Sequence, residues 1–257
     1  HSADDEYPDA RKNPGSSRDY GLFYKIPEKP VRQKPTDSPS PAQPIQKGTQ
    51  IMEYQVKIID SPENADKGTL FTIDNYMWTC LTKPKAYGTM TYLKDKGFYV
   101  EMTCEEKNPK KEYHNYMDPV CKDSAMEIFL AFPPKGEPLT NDCMYTNFEI
   151  NANAALYAAY GKGRKNRSSM PQQYLKTCSC RTTIHQDRWT LSLLIPEPFL
   201  KKECGLSQLD EITEFYCNFY KISESPEIEH YAAYHPINNP TPNFHLPIHF
   251  AKARITP

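Results

Sequence analysis

The stretch that most constrains this chain is Tyr145-Thr146-Asn147-Phe148-Glu149-Ile150-Asn151-Ala152-Asn153. At period two, Phe148, Ile150 and Ala152 share one face, and Asn147, Glu149, Asn151 and Asn153 share the other. The apolar face can join a core. The amide face is unusual, because Asn is disfavoured in strands and a solvated face more often carries Lys, Thr or Ser. Amides present donors and acceptors together, which suits hydrogen bonding to a neutral polar ligand such as a sugar. The competing reading is a polar strand face covered by a loop.

The same period recurs along the chain. Met52, Tyr54, Val56 and Ile58 alternate with Glu53, Gln55 and Lys57, and Phe98, Val100, Met102 and Cys104 alternate with Tyr99, Glu101 and Thr103. Ser124 to Phe132 is apolar on both faces, as a central strand should be. Trp189, Leu191, Leu193 and Ile195 form another alternation, stopped by Pro196, and Phe215 to Lys221 is an aromatic strand. Clusters of Gly, Pro, Asn and Asp separate these runs. Helical periodicity is confined to a turn near Pro198–Lys202. Strands without a βαβ rhythm predict an all-β fold, an antiparallel β-sandwich over residues 51–257.

Residues 1–50 differ. They hold 8 of the 24 prolines, which suit neither a regular helix nor a central strand. This segment reads as an extended Pro-rich arm or disordered tail. Its apolar patch, Tyr20 to Ile26, could dock on its own domain or on a second copy, giving a homo-oligomer.

Lys and Arg total 31 against 32 Asp and Glu, so no basic excess points to nucleic acid. No apolar stretch approaches the ~18 residues of a membrane helix. The opening His1-Ser2-Ala3 carries no signal peptide, which fits a mature chain whose signal has been removed. Eight cysteines, an even number, predict disulfides and a secreted, extracellular protein. Asn166-Arg167-Ser168 is an acceptor triplet for glycosylation.

The order of several motifs resembles the family 9-like carbohydrate-binding domains, a sandwich group that also includes DOMON-like domains. The residues are Asp118-Pro119-Val120 with Asp123 and Glu127-Ile128-Phe129-Leu130, then Tyr145 to Asn151, then Trp189 with Ile195-Pro196. Asn218-Phe219-Tyr220-Lys221 follows, then His230-Tyr231 with Tyr234 and Pro236. Pro242, Phe244, His245, Pro247 and Phe250 end the series, which spans roughly residues 70–252. The chain departs from the pattern at Ala154-Ala155, at Tyr234 and at Ile222-Ser223-Glu224. With only Trp78 and Trp189, it lacks the basis for a two-tryptophan clamp.

The resemblance implies a non-catalytic module that binds a glycan or another small polar ligand. Its expected ligand-binding residues are Asn147, Glu149 and Asn151, with Tyr234 and His245 nearby. Two alternatives stand beside it: a structural or assembly protein, and a DOMON-like haem or pigment carrier. No cofactor is required. Calcium on Asp118, Asp123 and Glu127, or another metal on His230, His235, His245 and His249, is the exception worth testing. No phosphate loop, Gly-x-Ser-x-Gly elbow or catalytic cysteine motif appears, so no enzyme is expected. Glu127 with Glu149 is the one carboxylate pair worth testing for hydrolysis.

Overall fold

β-Branched and aromatic residues at alternate positions make strands along most of the chain. The computed structural model describes residues 53–206, 209 and 214–257, so the Pro-rich arm and Met52 lie outside the described residues. The strands are β1 (Tyr54–Ile59), β2 (Leu70–Ile73), β3 (Asn75–Tyr76), β4 (Lys85–Leu93) and β5 (Gly97–Glu105). Next come β6 (Ala125–Ala131), β7 (Met144–Asn151), β8 (Leu156–Lys162) and β9 (Asn166–Ser169). The last are β10 (Arg181–Ile184), β11 (Trp189–Pro196), β12 (Glu214–Ser223), β13 (His230–Ala233) and β14 (Ala251–Thr256). Two short helices, α1 (Gln172–Leu175) and α2 (Glu197–Glu203), interrupt them. None is long and apolar enough to cross a membrane.

These strands join into one sheet, ordered β10-β11-β5-β4-β1-β14-β12-β6-β7-β8-β9. The sheet doubles over at β1. Tyr54–Lys57 pairs with β14 and Ile58–Ile59 with β4, both in parallel. Every other pairing among the described residues is antiparallel, as the sequence predicts. The parallel register of β1 is the one departure, and it lets a single strand belong to both layers of the sandwich.

Between the layers lies the main core. Phe148 and Ile150 enter it from β7, and Trp189, Leu191, Leu193 and Ile195 from β11, all buried. Phe71 of β2 stacks on Phe219 of β12 at 3.7 Å between ring centres, and Phe98 meets Phe215 at 4.9 Å. Each fully buried side chain of this kind contributes about 1.5–3 kcal/mol.

The layer containing β12, β6 and β7 is covered on its other face as well. Tyr220 stacks on Phe244 at 4.1 Å, Phe129 packs on Phe250, and Trp78 meets Tyr231 edge-on. This second apolar cluster is why β6 is buried along its whole length and reads apolar on both faces. It also explains why the amide face of β7 is buried rather than solvated.

The cysteines correct the disulfide expectation: all eight are unpaired thiols. Cys104, Cys143, Cys178, Cys204 and Cys217 are buried and fill the apolar clusters as small hydrophobes. Cys80, Cys104 and Cys121 donate weak hydrogen bonds to a carbonyl or carboxylate instead of bridging. Asn166 stands exposed in β9.

Candidate functional site

Register builds the site. Tyr220 of β12, Glu127 of β6, Glu149 of β7 and Tyr157 of β8 are successive partners in one row across four strands. Side chains directly opposite in such a row sit about 4.5–5.5 Å apart at Cβ. Two carboxyls therefore stand side by side on the covered face of the sheet, with a tyrosine on either flank.

Glu127 is 2% exposed and Glu149 is 8% exposed. Both line a cavity of about 230 Å³. Buried Ile222, Tyr231 and Phe244 give it apolar surface, and exposed Arg164, Glu224 and Pro242 mark its opening. Burial drives both carboxyls well above the usual range, and the charge of Glu224 pushes them the same way. The neighbouring Glu149 adds to the rise at Glu127. The amide of Asn147 and the guanidinium of Arg167 pull Glu149 partly back. Like charges placed opposite each other in a sheet are destabilising, so fold stability alone gives no reason to keep this pair.

Asn147 is fully buried and acts behind Glu149. Its Nδ2 donates to Glu149 Oε1 at 2.9 Å, while its Oδ1 accepts from Arg167 Nη2. Arg167 also lies 3.7 Å over the ring of Tyr145. Asn151 has a different task. Its Nδ2 donates to Asp123 Oδ2 at 2.7 Å and to the Tyr113 carbonyl, and its Oδ1 accepts from the Asn153 and Ala155 amides. Every hydrogen-bonding position is used within the protein, so Asn151 holds two loops together.

His245 lines the cavity, and its Nδ1 lies 2.9 Å from the Tyr145 hydroxyl. Burial and the nearby Arg167 and Arg164 hold its imidazole down to about 3, so the ring is neutral. Tyr234 is elsewhere. It packs between the layers against Tyr54 at 5.7 Å and Phe219 at 5.8 Å. Parity explains this: Ala232 and Tyr234 face the main core, while Tyr231 and Ala233 face the second cluster. Tyr231 is the ring of that motif that reaches the cavity.

Sequence reasoning thus brings together Asn147, Glu149 and His245, and misses Tyr231, Phe244, Arg164 and Glu224 as cavity residues. Period two from Glu149 and from Tyr231 could have found part of this set. Arg164 arrives only through the β8–β9 hairpin, where its Nη1 donates to Asn243 Oδ1 at 2.7 Å.

The candidate metal ligands are dispersed. Asp123 accepts the Glu112 and Tyr113 amides, and Asp118 accepts those of His114 and Asn115. His230 lies 2.8 Å from Lys221 Nζ, and His235 turns to the His249 carbonyl. Among the described residues, no group of three or more His, Cys, Asp or Glu is placed to hold a metal.

Comparison with known proteins adds a lineage to this geometry. A comparison with curated proteins finds no match. Among solved structures, a Bacteroides uniformis protein inferred to bind carbohydrate shares 18% identity at a TM-score of 0.66, over 78% of this chain and 97% of its own. A family 9 carbohydrate-binding module of Caldicellulosiruptor kristjanssonii, solved with cellotriose, shares 13% identity at a TM-score of 0.55, over 79% and 93%. The same description with glucose bound gives 13% identity and a TM-score of 0.53, over 79% and 95%. At these identities the likeness establishes the fold. The pattern of carbohydrate-binding family 9 matches residues 62–255, most of the chain, and the chain belongs to that family.

Proposed function

We propose that this carbohydrate-binding module takes its sugar in the cavity floored by Glu127 and Glu149, and that it does so without catalysis. The observation that carries the reading is the combination within one cavity: two buried carboxyls beside the apolar surface of Tyr231 and Phe244. Sugars need both kinds of surface, paired hydrogen-bonding groups for hydroxyls and flat apolar groups for the C–H face. The Caldicellulosiruptor kristjanssonii modules bound to cellotriose and glucose support a gluco-configured ligand.

Placement argues against hydrolysis. A glycosidase holds its two carboxyls on either side of the scissile bond. Glu127 and Glu149 are neighbours in one row of one sheet, so both meet the same side of a ligand. Extracellular placement belongs to the same reading and rests on the glycan ligand alone, since the eight free thiols withdraw the disulfide ground for it, and exposed Asn166 is open to glycosylation. Export of the full chain, and a mass increase at Asn166, would check this part. Retention inside the cell overturns it.

Titration calorimetry with cellobiose tests the site. A hydrogen bond to a charged group is worth ~1.5–3 kcal/mol, so Glu149→Gln should weaken binding by roughly 10-fold or more. Asn151→Ala should mainly lower stability, because it strips partners from Asp123 and two backbone amides. Unchanged affinity in a correctly folded Glu149→Gln protein would move the site elsewhere.

A further inference from the structure

We propose that the cavity is built for a sugar bearing a free, protonated amino group, such as a glucosaminyl residue, in preference to a neutral hexose. The inference rests on the carbohydrate-binding reading of the same cavity and deepens it.

The first ground is charge. Glu127 and Glu149 form the floor and Glu224 stands at the opening. The cations around them are committed elsewhere. Arg164 is held by Asn243, and Arg167 by Asn147, the Ala159 carbonyl and the ring of Tyr145. Lys221, the β12 neighbour of Tyr220 and so on the opposite face of the sheet, is held by Ser124 at 2.6 Å and faces Glu106 at 3.8 Å. His245 is neutral. Among the described residues none of these cations forms an ion pair with Glu127 or Glu149, whose burial favours the protonated form, so an entering cation supplies the partner that lets them ionise.

The second ground is independent of charge counting. Glu127 is 2% exposed, lines the cavity, and makes no side-chain hydrogen bond among the described residues. Its carboxyl oxygens are not among the sealed, unpartnered atoms of the described residues, so they open to the cavity, where water or a ligand must serve them. A hydroxyl could donate one hydrogen to it. An ammonium donates three, enough to serve Glu127 and Glu149 together, and its charge lets both carboxyls ionise. Tyr231 and Phe244 line the same cavity, and aromatic rings accept a cation as well as a sugar ring.

Calorimetry on the full chain at pH 6.5 provides the test with three β-1,4 disaccharides that differ only at C2: cellobiose, chitobiose with free amines, and N,N′-diacetylchitobiose. The expected result is that the free amine binds at least ~10-fold tighter than cellobiose, and that acetylation removes the advantage. In Glu127→Gln the ratio of amine to cellobiose affinity should fall to about 2-fold or less. If that variant does not fold, Glu224→Gln at the exposed opening should narrow the ratio in the same direction. Cellobiose binding as tight as the free amine, or tighter, overturns this proposal and leaves the carbohydrate site standing. Failure of all three sugars to bind overturns both.

Discussion

Glu149 is a carboxyl that burial works against. Its carboxyl has an ordinary value of 4.5, and burial raises it in the folded chain. The groups facing the pair are Tyr220 from β12, Tyr157 from β8, and Arg164 and Arg167 from the β8–β9 hairpin, with the charge of Lys221 acting from the opposite face of the sheet. Cys121, Glu224 and His245 complete the set. A raised acid binds its proton more tightly when folded than when unfolded. Stability should therefore fall as pH climbs from about 4.5 through the folded value, and level off above it. Glu149→Gln removes that loss. We expect the variant to melt close to the native protein at pH 4 and clearly higher at pH 8, by scanning calorimetry without ligand. A variant less stable than the native protein at pH 8 would show that Glu149 supports the fold. At this scale the alternation around Glu149 was legible in sequence, but its partner was not. Period two says which way Glu149 points, and only the register of β6 against β7 says that it points beside Glu127. Tyr234 shows the converse, since its motif drew attention while its parity with Ala232 placed it in the main core.

At the level of elements, strand type follows from burial on one face or two. β11 alternates cleanly because one face is in the core and the other is partly open, and its alternation was readable directly. β6 and β7 are covered on both faces, so β6 reads as uniformly apolar and β7 carries buried amides that must find partners. No periodicity in 237–250 announces a cover, because that segment has few regular elements and acts through Ile237, Phe244, Leu246 and Phe250. Trp189 tests the alternation of β11. It is fully buried opposite Cys104, and its Nε1 donates to Glu106 Oε2 at 3.2 Å. Trp189→Ala should cost ~3–5 kcal/mol by chemical denaturation. A cost under ~1 kcal/mol would mean that the two layers do not close over this position.

For the whole molecule, the misleading signal was an even cysteine count. Counting treats cysteine as a crosslink, whereas this fold uses it as a small hydrophobe, because a doubled sheet with two apolar clusters already buries enough surface to hold itself. The consequence is measurable in two steps. Denatured without reductant, the chain should release eight reactive thiols, and any smaller number would restore disulfides to the fold. In the native protein, Cys104, Cys143, Cys178, Cys204 and Cys217 should react only as fast as the sandwich opens. The three half-buried thiols should react first, though burial pushes Cys180 up to about 12 and raises Cys121 further, leaving little thiolate on either. Cys121 lines the cavity of Glu127 and Glu149, and Cys80 and Cys180 do not. A bound sugar should therefore slow labelling at Cys121 and leave Cys80 and Cys180 as they were, read by peptide mass after a short pulse of alkylating reagent. Equal labelling of Cys121 with and without saturating sugar would place the ligand on another surface of the sandwich.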